Sequence, residues 1–203
     1  MDGFLVVVAL GDSLTVGYRS SDPYSLDRRV PYTSQLEALI RQRVAARGSG
    51  IQAFVVNAGI NGDSTDGMLV RFDRSVAAER PEAVIVWGGI NDLFSGRGPE
   101  YVAANLAELY VRCRQIAAEP VACTVSPTSM PSPKTMELNS LIKDICHREK
   151  IPLADIWAVL SEAGGTLRHE YSDDGAHLSP SGYGVVAKIV YATLEPLLVQ
   201  HSL

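Results

Sequence analysis

The chain is poor in the residues that several common chemistries require. It has three cysteines, Cys113, Cys123 and Cys146. They are an odd set without a CxxC pair, which points to neither a zinc knuckle nor a disulfide framework. Three free thiols suit a reducing compartment. Basic residues are outnumbered, 18 against 23 acidic, for a net charge of −5. A general nucleic-acid binder needs a basic surface for phosphates, and Arg28-Arg29 with Arg41, Arg43 and Arg47 are too scattered to supply one. No stretch approaches the roughly 18 consecutive apolar residues of a membrane span. Met1-Asp2-Gly3 runs straight into apolar Phe4–Leu10, whereas a secretory leader starts basic and carries a longer apolar region. The reading is a cytoplasmic chain, with a secreted form that has lost its leader left open. GxxxxGK[ST], GxGxxG and GxSxG are all missing, so a nucleotide P-loop, a dinucleotide fold and the ordinary α/β-hydrolase elbow lack support. The sequence gives no reason to expect a cofactor or a metal.

What is present is an ordinary globular composition, 46% hydrophobic and 20% charged over 203 residues. That is one domain, 1–203, large enough to bury roughly 70% of the surface its unfolded form exposes. Four short β-rich runs stand out: Phe4–Leu10, Gln52–Val56, Ala83–Trp87 and Val121–Val125. Unbroken apolar runs without alternation read as strands buried on both faces. Ile151–Ala154 is a fifth, with Pro152 suggesting a sheet edge. Helical stripes lie between them: Leu36, Leu39, Ile40 and Val44; Met68, Leu69, Phe72 and Val76; Val102, Leu106, Leu109, Cys113 and Ile116; Leu138, Leu141, Ile142 and Ile145; Val186, Ile189, Val190, Leu194 and Leu197. Pro31 is placed as a first helical residue and Gly48 as a stop. Strand alternating with helix argues an α/β domain with a parallel sheet between helical layers. Such folds bind ligands at the carboxyl edge of the sheet, where the proline-rich loop Ser126–Lys134 is also expected.

Four segments carry unusual polar groups. In Gly11-Asp12-Ser13-Leu14-Thr15 a serine follows a buried strand, with its hydroxyl exposed and helix-start N–H groups around it; the plainer role for Asp and Ser there is helix capping. In Asn57 to Ser64 a glycine at a strand end permits close backbone approach, or the segment is a tight turn capped by Asp63 or Ser64. In Gly88-Gly89-Ile90-Asn91-Asp92 an asparagine at a strand end can donate to a developing oxyanion, or simply form a turn. In Asp173-Asp174-Gly175-Ala176-His177 a carboxylate three residues before a histidine can fix its tautomer, or the segment leads into a helix opened by Ser179-Pro180. Of the other histidines, His147 falls in a helical pattern and His201 lies two residues from the end. Together the segments supply a nucleophile, an oriented base and oxyanion donors, the parts acyl transfer needs.

These residues resemble the SGNH hydrolases, the GDSL lipase/esterase superfamily, and within it the small single-domain esterase and thioesterase-like members. The motif blocks are GDSLT (Gly11–Thr15), NAGINGDST (Asn57–Thr65), GGINDL (Gly88–Leu93) and DGAHLS (Asp174–Ser179), spread in order over about residues 4–198. The resemblance implies a flavodoxin-like three-layer α/β/α sandwich with a five-stranded parallel sheet. It implies Ser13 as nucleophile, His177 as base and then acid, Asp174 as its orienter, and an oxyanion hole of the Ser13 N–H, the Gly59 N–H and the Asn91 side chain. The expected activity is hydrolysis of short-chain acyl or aryl esters through an acyl-enzyme. An acyltransferase or a carbohydrate deacetylase on the same triad is the alternative, and the expected partner is a small ester. Oligomeric state is not readable.

Other readings fare worse. His169, Glu170, Asp173, Asp174 and His177 could gather a divalent ion, but HExxH would need His at 173 and Gly175 breaks the helix. Aspartyl-phosphate chemistry at Asp12 would need a second Asp where Leu14 stands. A non-catalytic binding module has no use for a matched triad. Leu93, Phe94, Leu178 and Trp87 are expected near the site, with core the commoner fate for such residues. Thr15–Val30 is longer than the two to six residues usual for such a loop, and its role is open among lid, partner surface and acyl pocket.

Overall fold

The computed structural model describes residues 3–24, 27, 29–48, 50–130 and 132–200. Met1, Asp2, Arg28, Pro131 and His201, all used in reading the sequence, lie outside the described residues. Five strands form one parallel sheet: β1 (Phe4–Gly11), β2 (Gln52–Gly59), β3 (Ala83–Trp87), β4 (Glu119–Cys123) and β5 (Leu153–Ala154). Their order across the sheet is β2-β1-β3-β4-β5. Helices α2 (Tyr32–Ala46), α3 (Thr65–Ser75), α5 (Pro99–Gln115), α6 (Pro133–Glu149) and α8 (Pro180–Gln200) alternate with them. Among the described residues three short α-helices, α1 (Ser13–Val16), α4 (Ile90–Phe94) and α7 (Ile156–Leu160), and two 3-10 turns (Ala77–Glu79 and His169–Tyr171) accompany them.

The strands divide the apolar interior in two. Val7, Ala9 and Ile85 point to one layer, packed with Leu36 and Ile40 of α2 and Val186 and Val190 of α8. Val8, Leu10, Val84 and Val86 point to the other, with Phe72 of α3, Leu106 of α5 and Ile142 of α6. This is the expected three-layer α/β/α sandwich, since successive strand residues face opposite sides. Each buried Leu, Ile or Val side chain contributes about 1.5–3 kcal/mol of burial free energy.

β3 is buried along its whole length. β2, at the sheet edge, is half-exposed. The carbonyl of Ala53 and the N–H of Val55 on that edge are covered by Arg41 and Glu37 of α2, which blocks pairing with another chain. Pro31 is the residue before α2 rather than its first residue, with ψ of 140°. α8 opens at Pro180, as the sequence suggests.

Three strand ends meet on one rung. Gly11 of β1 pairs with Gly59 of β2 on one side and with Trp87 of β3 on the other. The loops that follow therefore leave the sheet side by side at its carboxyl edge. Among the described residues, no helix is long and apolar enough to cross a membrane.

Candidate active site

Ser13 is the first residue of α1, directly beyond β1. Asp12 caps that helix, its Oδ1 accepting the Leu14 N–H at 3.0 Å. Asp12 thus takes the capping role, and Ser13, half-buried, follows it in the same turn. Ser13 Oγ lies 3.2 Å from His177 Nε2, across 164 positions of sequence.

His177 sits in the turn before α8, half-buried. Its Nδ1 is 2.8 Å from Asp174 Oδ2. Asp174 Oδ1 accepts the backbone N–H groups of His177 (2.7 Å) and Ala176 (2.9 Å). Partial burial works to raise the Asp174 pKa, but these bonds, led by the one from the His177 ring, outweigh it and hold the carboxyl well below the usual carboxylate range. An ionised carboxylate only accepts, so Nδ1 carries the proton and the Nε2 lone pair is left facing Ser13. Asp173 points elsewhere: its carboxylate accepts from Ser20 Oγ and from the N–H and hydroxyl of Ser21.

Asn91, in the first turn of α4, donates Nδ2 to the carbonyl of Asp63 at 2.9 Å and, at a long 3.4 Å, toward Asp12 Oδ2. One of its two N–H groups is firmly held and the other only loosely. Gly59 differs from the sequence expectation. Its N–H donates to Asn57 Oδ1 at 3.0 Å, so it is not free to meet a substrate oxygen. A Cβ at Gly59 would fall 2.5 Å from the Val16 N and 2.9 Å from the Thr15 carbonyl carbon. The glycine is there to let α1 pack on the end of β2, and Asn57 stitches the same junction by donating to the Thr15 carbonyl and to Thr33. The turn that follows is closed by the Asp63 N–H on the Ile60 carbonyl. Gly62, at φ +72°, supplies the positive φ such a turn takes at its third residue.

Several supporting contacts form only in the tertiary structure, and Arg71 among their residues has no signal in the sequence. Arg71 of α3 is buried, donating Nε to Asp63 Oδ2 (2.7 Å) and Nη2 to the Gly11 carbonyl (3.0 Å). Asp92, fully buried, accepts from the N–H and hydroxyl of Thr65 and so anchors the start of α3. Asp12 is 1% exposed. Burial pushes its pKa up to about 7, against the Leu14 bond and the pull of His177, with Asp63 and Asp92 adding to the rise.

Of the apolar residues expected near the site, Trp87 and Leu178 are core and Phe94 is exposed. Trp87 packs edge-on to Tyr32 and donates Nε1 to the Thr124 carbonyl. The proline-rich loop after β4 reaches the His177 turn, with the Ser129 N–H on the Gly175 carbonyl. The three cysteines are free and buried. Burial raises Cys113 to about 12 and Cys146 to about 11, so those thiols stay protonated and unreactive. His169 lies in a 3-10 turn, and among the described residues no group of three His, Cys, Asp or Glu is placed to hold a metal ion.

A hydroxyl, an imidazole and a carboxylate bonded in series at the edge of a parallel sheet is the layout of an acyl-transfer site. Residues 9–185 match the GDSL-like lipase/acylhydrolase family, and the chain belongs to that family, within the SGNH hydrolases. It is a carboxylic ester hydrolase. Esterase TesA of Pseudomonas aeruginosa is 28% identical over 162 residues, covering 79% of this chain and 78% of that protein. The human platelet-activating factor acetylhydrolase IB subunit alpha1 is 29% identical over 153 residues, covering 71% of this chain and 65% of that one. A G-D-S-L family lipolytic protein from Desulfitobacterium hafniense shares the fold, with a TM-score of 0.77 at 20% identity over 93% of this chain and 99% of that one.

Proposed function

We propose that the chain, as one domain, is a serine esterase acting on carboxylic esters with short acyl groups or aryl leaving groups. The observation that carries this is the bonded series Ser13–His177–Asp174. His177 Nε2 takes the Ser13 proton as Oγ attacks the ester carbonyl. The Oγ–C bond forms, the alcohol oxygen leaves with the proton from Nε2, and an acyl-serine remains. Water then repeats the sequence and releases the acid. Asp174 fixes the reactive tautomer and stabilises the imidazolium. The acetylhydrolase name of one relative supports a short acyl group.

The charge on the former carbonyl oxygen needs donors. Two are the Ser13 N–H, which as the first residue of α1 has no partner inside the helix, and the loosely held N–H of Asn91. With the Gly59 N–H bonded to Asn57, the third donor in this reading is the N–H of Gly62, in the turn whose Asp63 carbonyl Asn91 grips.

The test is labelling. A serine-directed phosphonate should modify the protein on the peptide holding Ser13, with loss of activity toward p-nitrophenyl acetate. Ser13→Ala should neither label nor turn over. Labelling on another residue, or full turnover by Ser13→Ala, refutes the assignment.

A further inference from the structure

The long segment after the nucleophile does not stand free. It is tied at three points to the machinery on either side of it. The Tyr18 N–H donates to the Ser13 carbonyl at 3.0 Å. The Tyr18 carbonyl accepts from the buried Tyr183 hydroxyl of α8 at 2.7 Å. Ser20 Oγ and the Ser21 N–H then bind Asp173 Oδ2 at 2.8 and 2.9 Å, and the Ser21 hydroxyl binds Oδ1. Asp173 is itself bonded through its N–H to the His177 carbonyl.

The result is a strap, Tyr18–Asp22, that presents one ring to the site. The Tyr18 ring meets the His177 imidazole edge to face, centroids 4.6 Å apart at 63°. Beneath the strap lies a cavity of about 90 Å³, bordered by Val16, Tyr18, Arg19, Asp22, Pro31 and Asn61. Residues 20–24 are exposed above it. Bonds to Asp173 and Tyr183 anchor the strap at its two ends.

Chemistry says which half of an ester this wall faces. In acylation the C–O bond to the alcohol breaks, and the departing oxygen collects its proton from His177 Nε2. The alcohol must pass beside the imidazole, whereas the carbonyl oxygen turns toward the donors at Ser13 and Asn91. Whatever flanks His177 therefore flanks the leaving group.

We propose that the Tyr18–Asp22 strap is the leaving-group wall of this site, its tie to Asp173 holding the Tyr18 ring against His177 and so selecting the alcohol half of the ester rather than the acyl half. This rests on the serine mechanism above and adds a specificity-determining residue, Tyr18, with Ser20, Ser21 and Asp173 as its positioning residues.

Two variants test it: Ser20→Ala/Ser21→Ala, which cuts both hydroxyl ties, and Tyr18→Leu, which removes the ring. Each is assayed by kcat/KM on two panels. One varies the alcohol, using acetates of phenols of matched acidity and rising bulk. The other varies the acyl group, using p-nitrophenyl esters from two to sixteen carbons. The expected result is a roughly tenfold change in discrimination between small and bulky phenols, the size a modest reshaping of a pocket produces. The acyl-length profile should keep its shape. A shifted acyl profile with unchanged alcohol preference would place the wall on the other half of the ester and overturn the proposal. Two unchanged profiles would overturn it as well. Phosphonate labelling of Ser13 in both variants separates the two levels: labelled protein with unmoved profiles defeats the strap alone, and a wild-type protein that never labels defeats the mechanism beneath it.

Discussion

Asp174 holds His177 by two bonds that end on different parts of the same residue, Oδ2 on the ring Nδ1 and Oδ1 on the backbone N–H. The second bond builds the turn and the first sets the tautomer, so they can be separated. Asp174→Asn keeps an oxygen for the backbone N–H groups but offers an amide donor to Nδ1. The ring then carries its proton on Nε2 and cannot accept from Ser13. We expect kcat to fall roughly 10⁴-fold with the fold intact, checked by steady-state kinetics beside circular dichroism. A variant retaining a tenth of the activity would deny Asp174 this role. The sign of the pH effect is also set. A carboxyl held below its usual value contributes stability above 3.8 that is lost only as pH falls through its folded value. Wild type and Asp174→Asn should therefore differ in stability at neutral pH and converge in strong acid.

Asn91 is gripped by the Asp63 carbonyl on one N–H and loosely by Asp12 on the other. A donor already oriented pays no reorganisation when charge develops in front of it. Asn91→Ala should lower kcat by roughly 10²–10³, the usual loss for one such donor, and move KM little. Equal kcat in variant and wild type would remove Asn91 from the hole.

The parts of this architecture that burial dictates were open to reading from the sequence. β3 falls on Ala83–Trp87 as expected, because a strand covered on both faces must be an unbroken apolar run. β4 begins two residues early, at Glu119-Pro120, where a proline disguises the strand. β2 runs on to Gly59, three residues further than expected. Asn57-Ala58-Gly59 looks like a turn, yet pairing of Ala58 with Leu10 and Gly59 with Gly11 keeps it in the sheet. The turn therefore lies at 60–63, beyond the end of β2, and Gly59 belongs to the strand. The DxxH spacing points to Asp174, whose Oδ2 lies 2.8 Å from His177 Nδ1, but nothing in the sequence shows that its neighbour Asp173 binds Ser20 and Ser21, 153 and 152 positions away. Arg71, likewise, reads as one more charge on a helix until the fold brings it to Gly11 and Asp63.

Asp12 should leave a mark on stability against pH. Its carboxyl has an ordinary value of 3.8 and is raised to about 7 in the folded chain, burial being the main cause. Between those values the folded protein keeps a proton that the unfolded chain has lost. Stability at this group must then fall as pH rises from 3.8 to about 7, and level off on either side. Asp12→Asn cannot titrate, so its urea-unfolding free energy should decline less than that of wild type across that window. Parallel curves for the two proteins would show that Asp12 ionises in the folded chain as it does in the unfolded one.

Arg71 and Asp63 form an ion pair whose side chains are 4% and 10% exposed. A buried pair of this kind contributes little against a well-packed apolar substitute, but removing one partner strands the other charge. Arg71→Met would take the cation from the Asp63 carboxylate, leaving it the Ser64 N–H, and would leave the Gly11 carbonyl with the Ile60 N–H alone, at a cost of about 3–5 kcal/mol for the stranded charge. Asp63→Asn/Arg71→Met removes the stranded charge along with its partner and should be less destabilised than Arg71→Met alone, despite carrying one substitution more. Chemical denaturation of the four proteins of this cycle measures the coupling directly. The same pair underlies the turn that grips Asn91, so activity in Arg71→Met should fall further than its folded fraction does. If the double variant were the less stable of the two, the cost would lie in lost packing around the Arg71 stem and not in an unpaired carboxylate.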